Sequence, residues 1–205
     1  MLGAATTWND LTRLAEAISA RLEVLRDVKL VFVESCTSGL ASAAMGAVPG
    51  ISRFFLGSAV TYRNETKIAW LNVHAECLAK YTSESEQTSA ALAQGAMERT
   101  LEATLCAAIT GHLGPNAPSD KDGLIWIAVA QRLHVARQKS QTSAVEIEVV
   151  TGQNQQSMTS CAPDTIQVHR YAPYRLLSMD RQARQFESAQ RLLRVVLEYL
   201  RAIDD

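Results

Sequence analysis

The stretch "VESCTSGL", Val33–Leu40, places the hydroxyls of Ser35 and Thr37, the thiol of Cys36 and the glycine Gly39 directly behind the apolar run Leu30–Val33. A serine at such a strand-to-helix turn either presents a nucleophilic hydroxyl beside unpaired backbone N–H groups or simply caps the helix that follows. Cys36 has a weaker case as nucleophile, because neighbours on a turn point in different directions and no histidine is placed to activate it. A second small-residue loop, "TGHLGP" at Thr110–Pro115, follows the apolar run Leu105–Thr110 and carries a hydroxyl, Thr110, and an imidazole, His112. A lone loop histidine is more often a bystander than a catalyst. Neither a Gly-x-Ser-x-Gly elbow nor a Ser-x-x-Lys motif occurs, so the familiar serine-hydrolase signatures do not apply. Cys36, Cys77, Cys106 and Cys161 lie far apart, and His74, His112, His134 and His169 are scattered singly. That spacing predicts buried thiols and no metal site.

The elements that must position these groups are legible as periodicities. Leu11, Leu14, Ala15, Ile18, Leu22 and Leu25 predict an amphipathic helix over residues 9–27, capped by Asn9 or Asp10. After the strand Leu30–Val33, a helix through Ala41, Ala44 and Met45 stops at Val48-Pro49-Gly50. "FFLGSAVTYRN", Phe54–Asn64, reads as a strand, followed by helices near Glu65–Leu71 and His74–Lys80. Thr88–Leu101 is a small-residue helix suited to close packing. Strands are expected at Leu105–Thr110, Gly123–Ala130, Leu133–Arg137, Val145–Val150 and Ile166–Arg170, with a polar insertion near 138–165. A long helix from about Asp180 to Ile203 closes the chain. Helices interleaved with apolar strands predict one α/β domain over 1–205, three-layered, with a central mixed, mostly parallel sheet and helices on both faces. Ligands in such sheets bind beyond strand carboxyl ends, where the Ser35 turn and the Thr110-Gly111 loop both fall.

With 205 residues, 47% hydrophobic and 20% charged, the chain has ordinary globular composition. A net charge of −1 and a pI near 6.4 give no case for nucleic acid or an anionic membrane as partner. No segment approaches the roughly 18 consecutive apolar residues of a membrane span. The N-terminus lacks the basic and apolar regions of a signal peptide, so a cytoplasmic location is expected.

Five blocks carry more than periodicity: "ESCTSGL", "GSAVTYRNETKIAWLNV", "SEQTSAALAQGA", "AAITGHLGP" and "GLIWIAVA". In order and spacing they resemble the CinA C-terminal domain family over roughly residues 10–135 and the final helix. The resemblance implies that family's fold, and an amidohydrolase of the PncC type. Such an enzyme converts nicotinamide mononucleotide to nicotinic acid mononucleotide and ammonia, a step of NAD recycling, without a cofactor. It implies Ser35 as nucleophile, with Tyr62 and Lys67 as its activators. Lys67 must then be partly desolvated to act as a base near neutral pH, and Tyr62 would relay the proton to it. Backbone N–H groups from Cys36 to Gly39, with Thr37 among them, would stabilise the oxyanion. Thr110 and Gly111 would hold the substrate, and Arg181 would meet its phosphate. Asn64 belongs to the pattern and would chiefly secure its loop. Members are commonly dimeric, so a homodimer is expected, through the 88–101 helix or the C-terminal one. These 205 residues leave no room for the family's N-terminal pyrophosphatase domain, so the resemblance does not imply that activity. The chain departs from the pattern at Ser38, where the family has glycine, at His112 and Leu113, at Asp122-Gly123-Leu124, and in the spacing before Arg181. The alternative is a divergent relative that binds a nucleotide or a protein partner without turnover.

Overall fold

The computed structural model describes residues 6–133 and 165–203. The expected strands at Leu133–Arg137 and Val145–Val150 and the polar insertion lie wholly or mostly outside these residues. Helix α1 spans Trp8–Leu25 and presents Leu11, Ala15, Ile18 and Leu22 to the core. Its cap is Thr7, not Asn9 or Asp10. The Thr7 hydroxyl accepts from the Asp10 N–H at 3.3 Å, and the Asp10 carboxylate accepts the Thr7 N–H at 2.8 Å. Asp10 thus completes a reciprocal capping box from inside the helix.

Strand β1, Leu30–Glu34, is parallel to β2, Phe55–Val60, on one side and to β3, Leu105–Gly111, on the other. Strand β4, Leu124–Leu133, runs antiparallel to β3. It pairs in turn with β5, Thr165–Arg170, and with the short β6, Tyr174–Arg175, giving the order β2-β1-β3-β4-β5. The sheet is therefore mixed, with β4 alone among the described strands running against the rest. Alternation along each strand divides the core. Leu30, Phe32, Leu105, Ala107 and Ile109 face α1, α2 (Leu40–Gly46) and α6 (Arg181–Ala202). Val31, Val33, Cys106, Ala108, Ala128 and Ala130 face the other layer, α3 (Asn64–Leu71), α4 (Ala75–Tyr81) and α5 (Glu86–Arg99). The period-two pattern with both faces covered is what apolar strands between two helical layers require.

Strand β2 is shorter than the Phe54–Asn64 expectation. The Thr66 hydroxyl accepts the Arg63 N–H at 3.3 Å, and α3 begins at Asn64, so a helix start claims the end of that run. Several small residues of α5, among them Ala90, Ala93, Gly95 and Ala96, are buried within the chain. A Cβ at Gly95 would lie 2.0 Å from the Leu71 carbonyl oxygen, so α5 seats directly on the end of α3. The apolar face of α6 is likewise buried, against α1 and α2. Among the described residues no helix is long and apolar enough to cross a membrane.

Candidate active site

The carboxyl ends of the parallel strands β1, β2 and β3 lie side by side. Ser35 is the first residue past β1, Thr61 the first past β2, and Thr110 and Gly111 end β3. Helix α3 then brings Lys67 back beneath the Ser35 turn. Lys67 is 1% exposed, and its Nζ donates to Ser35 Oγ at 3.0 Å and to the Thr61 carbonyl at 2.8 Å. Burial pushes the Lys67 pKa below its ordinary value, opposed by the negative charge of Glu84 and by Cys36. A lysine so placed can go neutral and accept the Ser35 proton, reversing the direction of that hydrogen bond.

The turn's glutamate has a different task. Glu34 is fully buried, and its carboxylate accepts the N–H groups of Gly39 and Ala41 at 3.1 Å and of Ser42 at 2.8 Å. It caps α2 from behind. The fan of donors expected from Cys36 to Gly39 is therefore narrower. Gly39 N–H is held by Glu34 and Ser38 N–H by the Ser35 carbonyl, while those of Cys36 and Thr37 take no backbone carbonyl among the described residues. Gly39 (φ 92°) faces Val60 rather than the cavity. Ser38 adopts φ 52°, the left-handed conformation that glycine takes without cost. Burial pushes the Cys36 thiol up to about 12, which removes it as a thiolate nucleophile at neutral pH.

A cavity of about 190 Å³ opens over Ser35, lined also by Cys36, Tyr62, Glu84, Gly111, His112 and Arg181. Through Arg181 and the Leu113–Ala117 loop it joins a wider recess of about 650 Å³. Tyr62 does not stand between Ser35 and Lys67, as a proton relay would. It lies beyond the end of β2, 55% exposed, and its hydroxyl accepts from Arg181 Nη2 at 2.7 Å. Lys67 reaches Ser35 without it. Arg181 also donates to the Gly114 carbonyl, so one guanidinium ties the loops after β2 and β3 to the start of α6. Thr110 is buried, its hydroxyl donating to the Ser83 carbonyl at 2.9 Å, while the Asn64 side chain accepts from Ser83. Both secure the loop before α5 rather than line the cavity. At Gly111 a Cβ would lie 2.6 Å from Ile125, so only glycine lets β3 and β4 approach so closely at the cavity wall.

Several contributing residues gave no sequence signal. Glu84 pairs with His112, Oε2 to Nε2 at 3.4 Å, across separate loops. Arg184 forks onto Asp122 at 2.8 and 2.9 Å and donates to the Ser178 carbonyl. Glu187 accepts the N–H groups of Leu177 and Ser178. These contacts fix the segment that delivers Arg181, and the altered spacing before it is absorbed there. Arg184 holds the Asp122 carboxyl below the usual carboxylate range. No group of three or more His, Cys, Asp or Glu side chains among the described residues is arranged to hold a metal ion.

Fold and site together define an α/β domain with a buried serine–lysine pair at the carboxyl end of β1, the middle one of three neighbouring parallel strands. The sequence pattern of the CinA C-terminal domain matches residues 11–163, and the chain belongs to that family. It is 37% identical over 99 residues to a CinA-like protein of Petrotoga mobilis, covering 47% of this chain and 24% of that protein. It is 41% identical over 107 residues to a CinA-like protein of Prochlorococcus marinus, covering 51% and 25%. The matched part thus spans about a quarter of the length of these relatives. Among solved structures, a CinA superfamily protein from Klebsiella pneumoniae superposes with a TM-score of 0.69 at 23% identity, covering 94% of this chain and 98% of that one. One from Escherichia coli gives 0.65 at 25%, covering 93% and 91%.

Proposed function

We propose that this chain is an amidohydrolase that converts nicotinamide mononucleotide to nicotinic acid mononucleotide and ammonia. The observation that carries the reading is the 3.0 Å contact between Ser35 Oγ and the desolvated Lys67 Nζ at the floor of a cavity. Neutral Lys67 takes the Ser35 proton as Oγ attacks the carboxamide carbon. The oxyanion that forms is met by the Cys36 and Thr37 N–H groups, which take no backbone carbonyl among the described residues. As the C–N bond breaks, Lys67 returns the proton to the leaving nitrogen, releasing ammonia. A water then attacks the acyl-serine, giving up its proton to Lys67, which passes it to Ser35 Oγ as the carboxylate product departs. Arg181 receives the substrate's phosphate at the cavity mouth, exchanging Tyr62 for a stronger, charge-assisted partner. Tyr62, once released, remains on the wall of the same cavity as Ser35. Two subunits together are expected to form the working particle.

The test is ammonia release from nicotinamide mononucleotide by the purified protein beside Ser35→Ala. Release by the wild type with a loss of at least about a thousandfold in the variant is the expected outcome. Equal release by both would remove Ser35 from its role. Binding of the nucleotide with no release by the wild type would favour a relative that binds without turnover.

A further inference from the structure

The Ser35 cavity holds a charge that the serine–lysine chemistry does not call for. Among its lining residues Glu84 supplies the carboxylate and Arg181 the guanidinium. Neighbouring carboxylates all have structural tasks: Glu34 caps α2, Asp122 grips Arg184, and Glu187 holds the Leu177-Ser178 backbone. The Glu84 side chain has none of these. Its ion-pair partner among the described residues is His112, at 3.4 Å, and both side chains are about a quarter exposed, 27% and 21%. Among the described residues no lysine or arginine bridges this carboxylate. It works against its neighbour, because its field favours the charged form of Lys67. A cation entering the cavity would offset that field.

We propose that Glu84 recognises the positively charged ring of the substrate, so that the site selects carboxamides of N-substituted pyridinium over uncharged analogues. This inference rests on the substrate reading given above. The nicotinamide ring of a nucleotide carries a formal positive charge at its substituted nitrogen, and the phosphate is negative. Glu84 and Arg181 on the wall of one cavity match that pair of opposite charges. Bound substrate neutralises the field of Glu84 at Lys67 and tips the lysine toward its basic form. Hydrolysis then creates a carboxylate in the same cavity, and its repulsion from Glu84 favours release. His112, the partner that holds the Glu84 carboxylate, positions it rather than acting on the amide.

The experiment is equilibrium binding to the Ser35→Ala protein, which leaves the ligand intact. The probes are nicotinamide mononucleotide and its reduced form, which keeps the carboxamide, ribose and phosphate but has an uncharged ring. The oxidised form should bind roughly tenfold more tightly, the size of one unit-charge contact in a half-open cavity. Adding Glu84→Gln should bring the ratio close to one, while Glu84→Asp, which keeps the charge, should retain most of the preference. A ratio that Glu84→Gln leaves unchanged, in protein whose circular dichroism matches the parent, overturns the inference. So does an absence of preference in the Ser35→Ala parent. Ammonia release by the wild type separates the two readings. Turnover with an unchanged ratio sinks only the role of Glu84, whereas no turnover and no binding of either form sinks the substrate assignment together with it.

Discussion

Lys67 shows how much of the chemistry rests on one side chain's surroundings. Its ordinary pKa near 10.5 is lowered by burial, so the folded chain binds fewer protons there than the unfolded chain does between the two values. Stability gained from this group therefore increases as pH rises through that window, and burial of its charge is a cost on the acid side. If neutral Lys67 is the base, kcat/KM should climb about tenfold per pH unit below its folded pKa and level off above it, short of 10.5. A rate profile with no rising limb anywhere below 10.5 over the range in which the protein stays folded would exclude lysine as the base. Lys67→Arg should be inactive, since a guanidinium does not deprotonate in this range. The hydroxyls of Thr37 and Thr61, buried and without hydrogen-bond partners among the described residues, and Ser38 at positive φ mark the same place as costly to build. Such costs concentrate where geometry serves function rather than stability.

At the scale of elements, α3 is the arm that carries Lys67, and its placement depends on a contact no propensity scale contains. Gly95 in α5 lets the Leu71 carbonyl, at the end of α3, approach to where a methyl group would otherwise sit. Alanine normally improves a helix over glycine by about 1 kcal/mol. Here the methyl would overlap a backbone oxygen that cannot rotate away, so Gly95→Ala should destabilise by about 1–3 kcal/mol instead. Denaturant unfolding reads the stability. Because the clash displaces α3, kcat should fall as well, although Gly95 touches no substrate. A variant more stable than the parent would show that α3 yields without cost. Glu34 plays the parallel part for α2, its carboxylate satisfying three helix-start N–H groups that would otherwise be orphaned beneath the Ser35 turn.

Across the whole molecule, the site is closed by a residue from the far end of the chain. Arg181 reaches Tyr62 and Gly114 because Arg184 is clamped to Asp122 and Glu187 holds the preceding backbone. Asp122→Ala should loosen α6 from the β3–β4 loop and misplace Arg181. Steady-state kinetics with nicotinamide mononucleotide should show KM rising about tenfold with kcat changed less than about threefold, the pattern of lost ground-state binding. An equal fall in kcat with KM unchanged would place the effect on the chemistry instead. The clamp also explains how the chain tolerates its altered spacing before Arg181. The bidentate contact fixes where α6 begins, whatever route the backbone takes to it.

Sequence alone determined the layered sheet, because strands such as Leu30–Val33 and Leu105–Ile109 are apolar at every position and must be covered on both faces. It also put the turns after β1 and β3 at strand carboxyl ends, where ligands bind in such sheets; that the two strands are parallel neighbours came from the fold. The block pattern brought Ser35, Tyr62, Lys67 and Arg181 into one expectation, and the fold places three of them on one cavity wall with Lys67 bonded to Ser35 beneath. Tertiary structure alone decided which partner each group takes. Tyr62 turns to Arg181 because β2 stops short, and the Gly39 N–H goes to Glu34 because α2 needs its cap. The pairs Glu84–His112 and Asp122–Arg184 join loops distant in sequence. Periodicity reports which way a side chain faces relative to its own backbone. It says nothing about which charge waits on another loop, and that juxtaposition exists only once the chain has folded.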